Sequence, residues 1–522
     1  MRLLKLRLED FRVLRKLTLE FSELARDDAT YTLSFLVGVN GSGKSTVLRA
    51  LVEILRKLDR KESIPYQFRL EYVLGIGDER RHIEIINPPV TEARQPVQVS
   101  VNGKQAAFGA HLLPERIVIF TTGSEAEWEE QEKIPASEAE KSAAEALSDL
   151  NLSPVELAIQ ELPGKPLPKQ AEETASQEVT RTQQDERFLF VRTKQLPLLT
   201  LCGLLADIAT YEQPDQRLLR DVLHETRISF LRGFSLKFRM NKGTTDVNDS
   251  EYVERLKKVA TRALRMGTDY VLLFDLTGSD YARAREILEA ATGEIGEVQE
   301  SAQGLRFFEK LANFFEPNNT NPPLLREVNL FLERTAERDL ITNEITEPPP
   351  LLLLNWLSDG EQSFLGRMCL FSLLGNTESL ILLDEPEVHF NDYWKRQIVA
   401  LIDKVLRGRT SHALITTHSS ITLTDARRED ILVLDRGDVF TSSMFRPSIR
   451  TYAADPSDII VSVFGAPQAA GAQSVSRVQE VLANRQRRNQ EGQKEALQQL
   501  LKEVGPGYWS YRIRRELRAM GE

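Results

Sequence analysis

The sequence predicts an α/β fold: a mixed sheet flanked by helices, interrupted by a large, mostly helical insertion and followed by a helical C-terminal tail. Three observations carry this reading. The apolar run Tyr31 to Val37 leads into Gly38-Val39-Asn40-Gly41-Ser42-Gly43-Lys44-Ser45-Thr46, after which Val47, Leu48, Leu51, Ile54, Leu55 and Leu58 recur at helical spacing. A second aliphatic run, Leu380 to Leu383, ends in Asp384-Glu385, the pattern of a strand buried on both faces. Between these runs the composition changes twice.

Taken in order, residues 1 to 37 alternate apolar and polar positions at Leu4, Leu6 and Leu8 and again at Leu17, Leu19 and Phe21, which predicts a hairpin before the glycine-rich loop. Phe68 to Leu74, Arg81 to Ile86, Val97 to Val101 and Arg116 to Phe120 read as strands, with Asn102-Gly103 as a tight turn. These form an N-terminal lobe over 1–125. Residues 125 to 149 then carry nine acidic side chains against two lysines, and 150 to 185 are rich in Pro, Glu, Gln, Ser and Thr, so 126–185 reads as an acidic, low-complexity excursion and linker. Residues 186–344 return to globular composition, with Arg187 to Val191 and Tyr270 to Leu276 strand-like and Glu251 to Met266 and Tyr281 to Ala291 helix-like. An α-rich insertion is expected there.

A C-terminal lobe follows over 345–465. Ser358 and Glu361 stand in the S-x-x-E relation of a capping box, ahead of apolar positions at Phe364, Leu365, Met368, Phe371 and Leu374, so a helix starts at about Asp359. Ala413 to Thr416 and Ile431 to Leu434 are further short strands. The tail, 466–522, has helical spacing at Val478, Val481 and Leu482 and at Leu497, Leu500 and Leu501. From 474 onwards it holds ten Lys or Arg against six Glu, in a chain whose formal charge is −10.

Composition narrows the function classes. Hydrophobic content of 41% and charged content of 28% are those of an ordinary globular protein. Cys202 and Cys369 are the only cysteines, too few for a disulfide framework or a cysteine-based metal site. No apolar run approaches the roughly 20 residues that span a bilayer, so no membrane partner is expected and the cytoplasm is the default location.

The chemistry is concentrated in the glycine-rich loop. It fills every fixed position of G-x-x-x-x-G-K-[ST]: Gly38, Gly41 and Gly43 let backbone N–H groups approach a polyphosphate at a helix N-terminus, Lys44 reaches the β and γ phosphates, and the Ser45 hydroxyl ligates Mg²⁺. Asp384 would hold Mg²⁺ directly or through water, while Glu385 would orient and deprotonate an attacking water. His418, at the end of the strand Ala413 to Thr416, would sense the γ phosphate or position the water.

The ordered set Gly38 to Ser45, Ser358 to Gln362, Asp384-Glu385 and Thr417-His418 resembles an ABC-type ATPase head, with Walker A, signature motif, Walker B with its catalytic Glu, and switch His. Asn40 within the loop, Glu9-Asp10-Phe11-Arg12 and Asp384-Glu385-Pro386-Glu387-Val388-His389 resemble the RecF/SMC/OLD branch. The resemblance implies an ATPase using ATP and Mg²⁺. It implies a homodimer or higher homo-oligomer closed around the ATP sites, in which Ser358, Gly360, Glu361 and Gln362 face the nucleotide on another copy's Walker A loop. The wording around Asn355 to Gln362 and Glu387 to Asp392 is similar to anti-phage ATPases of Septu and retron systems, which implies control of a separate effector such as an HNH nuclease. Residues 441 to 522 offer no acidic nuclease triad. A RecF-like repair or recombination ATPase and a non-hydrolysing ATP-binding scaffold are the alternatives. Tyr508-Trp509-Ser510-Tyr511 beside Arg512, Arg514 and Arg515 fits a docking helix for a partner protein, the favoured reading, or a DNA or RNA contact.

Overall fold

The computed structural model describes residues 1–22, 31–89, 97–122, 128, 187–239, 247–276, 280–294, 299–316, 323–335, 351–374, 377–407, 411–435, 441–466, 470–484 and 490–520. The acidic run and the linker expected over 125–185 lie outside these, apart from Trp128, which is buried beneath the Arg49 guanidinium.

The expected hairpin is β1 (Arg2–Phe11) and β2 (Leu14–Glu20). β3 (Thr32–Val37), buried at every residue, runs into the glycine loop and α1 (Lys44–Asp59). β4 (Phe68–Leu74), β5 (Arg81–Asn87), β6 (Gln98–Val101) and β7 (Lys104–Ala106) continue the hairpin into a six-stranded antiparallel sheet of order β2-β1-β4-β5-β6-β7. Asn102 and Gly103 both take positive φ, 50° and 74°, as a two-residue hairpin turn requires.

The head's second sheet is mostly parallel. β8 (Arg116–Thr121) and β9 (Phe188–Val191) form one edge. After the insertion come β15 (Ser379–Asp384), β16 (Ser411–Thr416), β17 (Ile431–Asp435) and the antiparallel β18 (Ser443–Phe445), giving the order β18-β17-β3-β16-β15-β8-β9. Alternate residues face opposite cores: Ile381 and Leu383 join one apolar cluster, Leu380 and Leu382 the other, which also holds α1 and the antiparallel sheet. Burial on both faces is what an unbroken aliphatic run on a parallel strand predicts.

The inserted segment carries more strand than its periodicity suggests. Its five-stranded antiparallel sheet is built from β10 (Ile228–Arg239), β11 (Arg262–Met266), β12 (Asp269–Asp275), β13 (Leu325–Arg334) and β14 (Leu351–Leu353), in the order β11-β12-β10-β13-β14. Its helices are α2 (Leu196–Thr210), α3 (Arg220–Glu225), α4 (Val247–Val259), α5 (Asp280–Thr292) and α6 (Glu300–Phe315). One local expectation is corrected. The helix expected through Met266 ends at Val259, because Arg262–Met266 turns back at Gly267 (φ 66°) and pairs with β12. The strand expected over Arg187 to Val191 is present as Phe188–Val191, and its backbone groups find partners along β8 of the head sheet.

The C-terminal lobe continues with α7 (Asp359–Leu373), α8 (Asp392–Leu406) and α9 (Pro456–Ser462). The tail is three helices, α10 (Ala472–Asn484), α11 (Gln490–Glu503) and α12 (Tyr508–Ala519), around a small core of Val478, Leu497, Leu500, Ile513 and Leu517.

The two head sheets are joined by a buried histidine. His412 on β16 accepts the Leu3 N–H at Nδ1 (2.9 Å), which leaves its Nε2–H to donate to Ser34 Oγ (3.0 Å). Burial, reinforced by the nearby Arg2 charge, pushes its pKa from 6.5 down to about 3, so it is neutral in the fold. Between those values the unfolded chain binds a proton that the folded one does not. Stability is therefore expected to be full above pH 6.5 and to fall as the pH drops towards 3, with His412 contributing on the order of 4 kcal/mol of the loss. His412→Leu should cost about 2–4 kcal/mol at pH 7 by orphaning two polar groups and should flatten the acid limb. Denaturant titrations at pH 7.5 and 5 measure both; an acid limb unchanged by the substitution would refute the assignment.

Candidate functional site

The site lies where the parallel strands end. Register places Thr121, Asp384 and Thr416 side by side at the C-terminal ends of β8, β15 and β16, with Leu36 of β3 next to Thr416. In an open α/β sheet this edge is where ligands bind.

The glycine-rich loop leaves β3 here and closes on α1. Gly38 has φ 154°, and a Cβ on it would meet the Leu434 carbonyl oxygen at 2.3 Å, so the loop's first turn passes against β17 too closely for any side chain. Gly43, at φ 99°, is the N-cap of α1 and backs onto Leu14 of the β1–β2 hairpin. The hairpin thus supports the loop from behind. Lys44 is buried, and its ammonium donates to the Gly38 and Val39 carbonyls at 3.1 and 3.3 Å. Burial lowers its pKa, while Glu385 and Asp384 draw it back up. Ser42 is buried with a hydroxyl that has no hydrogen-bond partner. Asn40 and Gly41 are exposed, and Thr46 is half-buried on the first turn of α1.

Ser45 and Asp384 meet across 339 residues of sequence: Ser45 Oγ donates to Asp384 Oδ1 at 3.0 Å. The same oxygen accepts the Thr416 hydroxyl at 2.6 Å. This set of hard oxygen donors fits Mg²⁺, which Ser45 and Asp384 would hold. Among the described residues no group of three or more His, Cys, Asp or Glu could bind a metal, so nucleotide oxygens and water would complete the shell. The unpartnered Ser42 hydroxyl and the N-terminus of α1 behind Gly43 fit the phosphates.

Glu385 takes a left-handed backbone, φ 51°, which is unusual for a non-glycine residue. Its N–H is held by the carbonyl and hydroxyl of Thr416 at 3.2 and 3.0 Å. Its carboxylate lies 3.1 Å from His418 Nε2, and both side chains are about one-third exposed (37% and 32%). Burial, then the adjacent Asp384, raises the Glu385 pKa. Burial, then Lys44, lowers that of His418. The imidazole and the carboxylate are thus in direct contact at the end of β16. The structure therefore brings together Lys44, Ser45, Asp384, Glu385 and His418.

Ser358 to Gln362 stand apart from them. The capping box forms: Glu361 Oε2 accepts the Ser358 N–H (2.8 Å) and hydroxyl (2.7 Å), and Ser358 Oγ accepts the Glu361 N–H (3.3 Å). Gln362 Nε2 donates to the Leu357 carbonyl at 2.8 Å. Gly360 packs so close to the loop after β15 that a Cβ would lie 2.7 Å from the His389 carbonyl oxygen. Among the described residues no hydrogen bond links this motif to the chain's own phosphate loop. Asn391 caps α8 by accepting the Trp394 N–H at 2.8 Å.

Several residues at the site escape sequence reasoning. Thr122 donates to the Asp384 and Glu385 carbonyls at 3.3 and 3.2 Å. Glu387 is buried; it accepts the Thr417 hydroxyl and, at 3.3 Å, the His418 N–H, and its second oxygen has no partner. Arg367, buried on α7, lies between the Phe120 and Phe390 rings (4.9 and 4.8 Å) and donates to the Val388 carbonyl at 3.4 Å. Burial pushes its pKa down to about 9, against the pull of Glu387, so it remains charged at neutral pH. An arginine within an apolar helical stripe was the one available signal.

A family model described as "AAA domain, putative AbiEii toxin, Type IV TA system" matches residues 266–425, and another described as "AAA domain" matches residues 1–76. Both matches are to AAA-type domains, in keeping with the phosphate loop and its P-loop geometry, and neither spans half of the chain. No curated protein matches the chain. Solved structures similar to it include the SMC head domain from Thermotoga maritima, 13% identical with a TM-score of 0.34, covering 86% of this chain and 100% of that one. An Smc head domain with an extended coiled coil bound to the C-terminal domain of ScpA from Pyrococcus furiosus is also 13% identical, at a TM-score of 0.34, over 85% and 96% of the two chains. Superpositions this loose say nothing of activity or partners.

Lys44→Ala is expected to weaken ATP binding by about 100-fold, the worth of one charge-assisted contact of about 3 kcal/mol. Titration with a fluorescent ATP analogue reads this directly, and equal affinity in the variant and the parent protein would sink the site assignment.

Proposed function

We propose that this protein hydrolyses ATP with Mg²⁺ and uses the nucleotide to close two copies of the chain on one another. The observation that carries the reading is the 3.1 Å contact of Glu385 with His418 beside the Ser45–Asp384 hydrogen bond. A bound Mg²⁺ would neutralise phosphate charge. Lys44 binds the terminal phosphates, Glu385 takes the proton of the attacking water, and His418 holds the Glu385 carboxylate in position. A raised carboxylate pKa suits a proton acceptor.

The second copy is supported by where the signature motif stands. Its helix N-terminus carries dipole and capped amides suited to phosphate, and Trp356 beside it is 66% exposed. With no hydrogen bond to its own loop among the described residues, it is available to another copy's nucleotide. The effector reading, control of a separate nuclease in anti-phage defence, rests on the likeness to Septu and retron ATPases and on a matched family whose description names a toxin–antitoxin system.

Glu385→Gln keeps the shape but removes the base, so turnover should drop about 10²–10⁴-fold, while ATP binding persists and a dimer accumulates. Light scattering with and without ATP, on this variant and on Lys44→Ala, tests the coupling: the first should double in mass with ATP and the second should not. A Glu385→Gln protein that stays monomeric in saturating ATP would overturn the dimer, and one that turns over at the parent rate would overturn the catalytic role.

A further inference from the structure

The tail presents a basic, aromatic face that the nucleotide site does not use. In α12 the side chains of Ser510, Ile513 and Leu517 are buried in the tail's own core, and Trp509 and Met520 pack against it. The opposite side is exposed at Tyr508, Tyr511, Arg512, Arg514, Arg515 and Arg518. At 100° per residue these six occupy one arc of about 160°. Both tyrosines are 63% exposed, although neither is needed for packing. Among the described residues no ion pair holds Arg514, Arg515 or Arg518, and Arg512 touches only its own helix, through the Tyr508 hydroxyl (3.4 Å) and the Trp509 ring (5.8 Å). A chain of formal charge −10 therefore leaves four arginines uncompensated on two turns of one helix.

We infer that this face binds single-stranded nucleic acid. The arginines supply phosphate contacts, and Arg512 to Arg518 spans about 9 Å of helix, the length of about three stacked nucleotides. Tyr508 and Tyr511 supply stacking faces that only unpaired bases can reach. A protein-docking face is depleted of charge at its centre and built around an apolar core. Here the centre of the arc is Arg515 between the two tyrosines, and the one exposed aliphatic group on it among the described residues is the Ala519 methyl. This inference departs from the docking helix for a protein partner that the sequence favoured.

The test uses the full chain without nucleotide and fluorescein-labelled 20-mers of deoxythymidylate, of uridylate and of mixed-sequence duplex DNA, read by anisotropy from 50 to 200 mM salt. At least one single strand should bind more tightly than the duplex. Arg514→Gln/Arg515→Gln/Arg518→Gln should weaken binding at least about 10-fold and reduce the slope of log affinity against log salt by about 2, at about 0.7 per phosphate contact. Tyr508→Ala/Tyr511→Ala should weaken binding at least about 5-fold while leaving that slope unchanged. Circular dichroism and nucleotide-dependent ATPase activity confirm that each variant is folded. The inference is overturned if neither strand binds, if the duplex binds as tightly, or if either variant binds like the parent. Loss of a co-purifying protein in the arginine variant, with no binding of either strand, would overturn it in favour of a protein dock.

Discussion

One carboxylate oxygen holds the nucleotide site together. Asp384 Oδ1 accepts hydroxyls from Ser45 on α1 and Thr416 on β16, tying the phosphate loop, the catalytic strand and the strand between them at a single point. Such a point exists only because β16 lies between β3 and β15, so that Thr416 spaces Asp384 from the loop. The parallel core then has to be apolar on both faces, with α1 and the antiparallel sheet covering one side and the insertion's helices the other. Among the described residues the carboxylate is held by this hydroxyl pair and not by an ion pair, and Lys44 feels its charge nearby, which leaves it able to take a cation.

The insertion reaches the same site through the signature helix. α2 is buried almost throughout, and glycines let it approach α7 closely: a Cβ on Gly203 would sit 2.4 Å from Cys369 Cβ, and one on Gly366 would sit 2.7 Å from Leu196. Two helices packed backbone to backbone cannot tilt independently without opening voids. From α7, Arg367 reaches Val388, and the neighbouring Glu387 holds Thr417 and the His418 amide. Burying both charges with nitrogens and an oxygen unpaired is costly, which marks this contact as more than packing. It places the signature helix, the loop after β15 and the switch histidine in one connected set.

The tail obeys different physics. Its core is five buried side chains, and its outward face is charged, so it is a small unit with a surface of its own rather than a continuation of the head. The basic local charge that the sequence shows as a count becomes, on the helix, a directional feature.

The sequence by itself determined the loop, the catalytic strand and the capped signature helix, because each is a local pattern: glycines at positive φ, an unbroken aliphatic run, and a side chain reaching three residues along. Lys44, Ser45, Asp384, Glu385 and His418, which the fold gathers at one sheet edge, were legible as candidates for the same reason. Tertiary structure alone decided what those patterns meet. That β11 pairs with β12 instead of extending a helix, that Phe188 to Val191 joins the head sheet, and that Arg367 lies between Phe120 and Phe390 all depend on partners distant in sequence. Backbone pairing and buried charge are satisfied by whatever the fold brings near, and no local period encodes that.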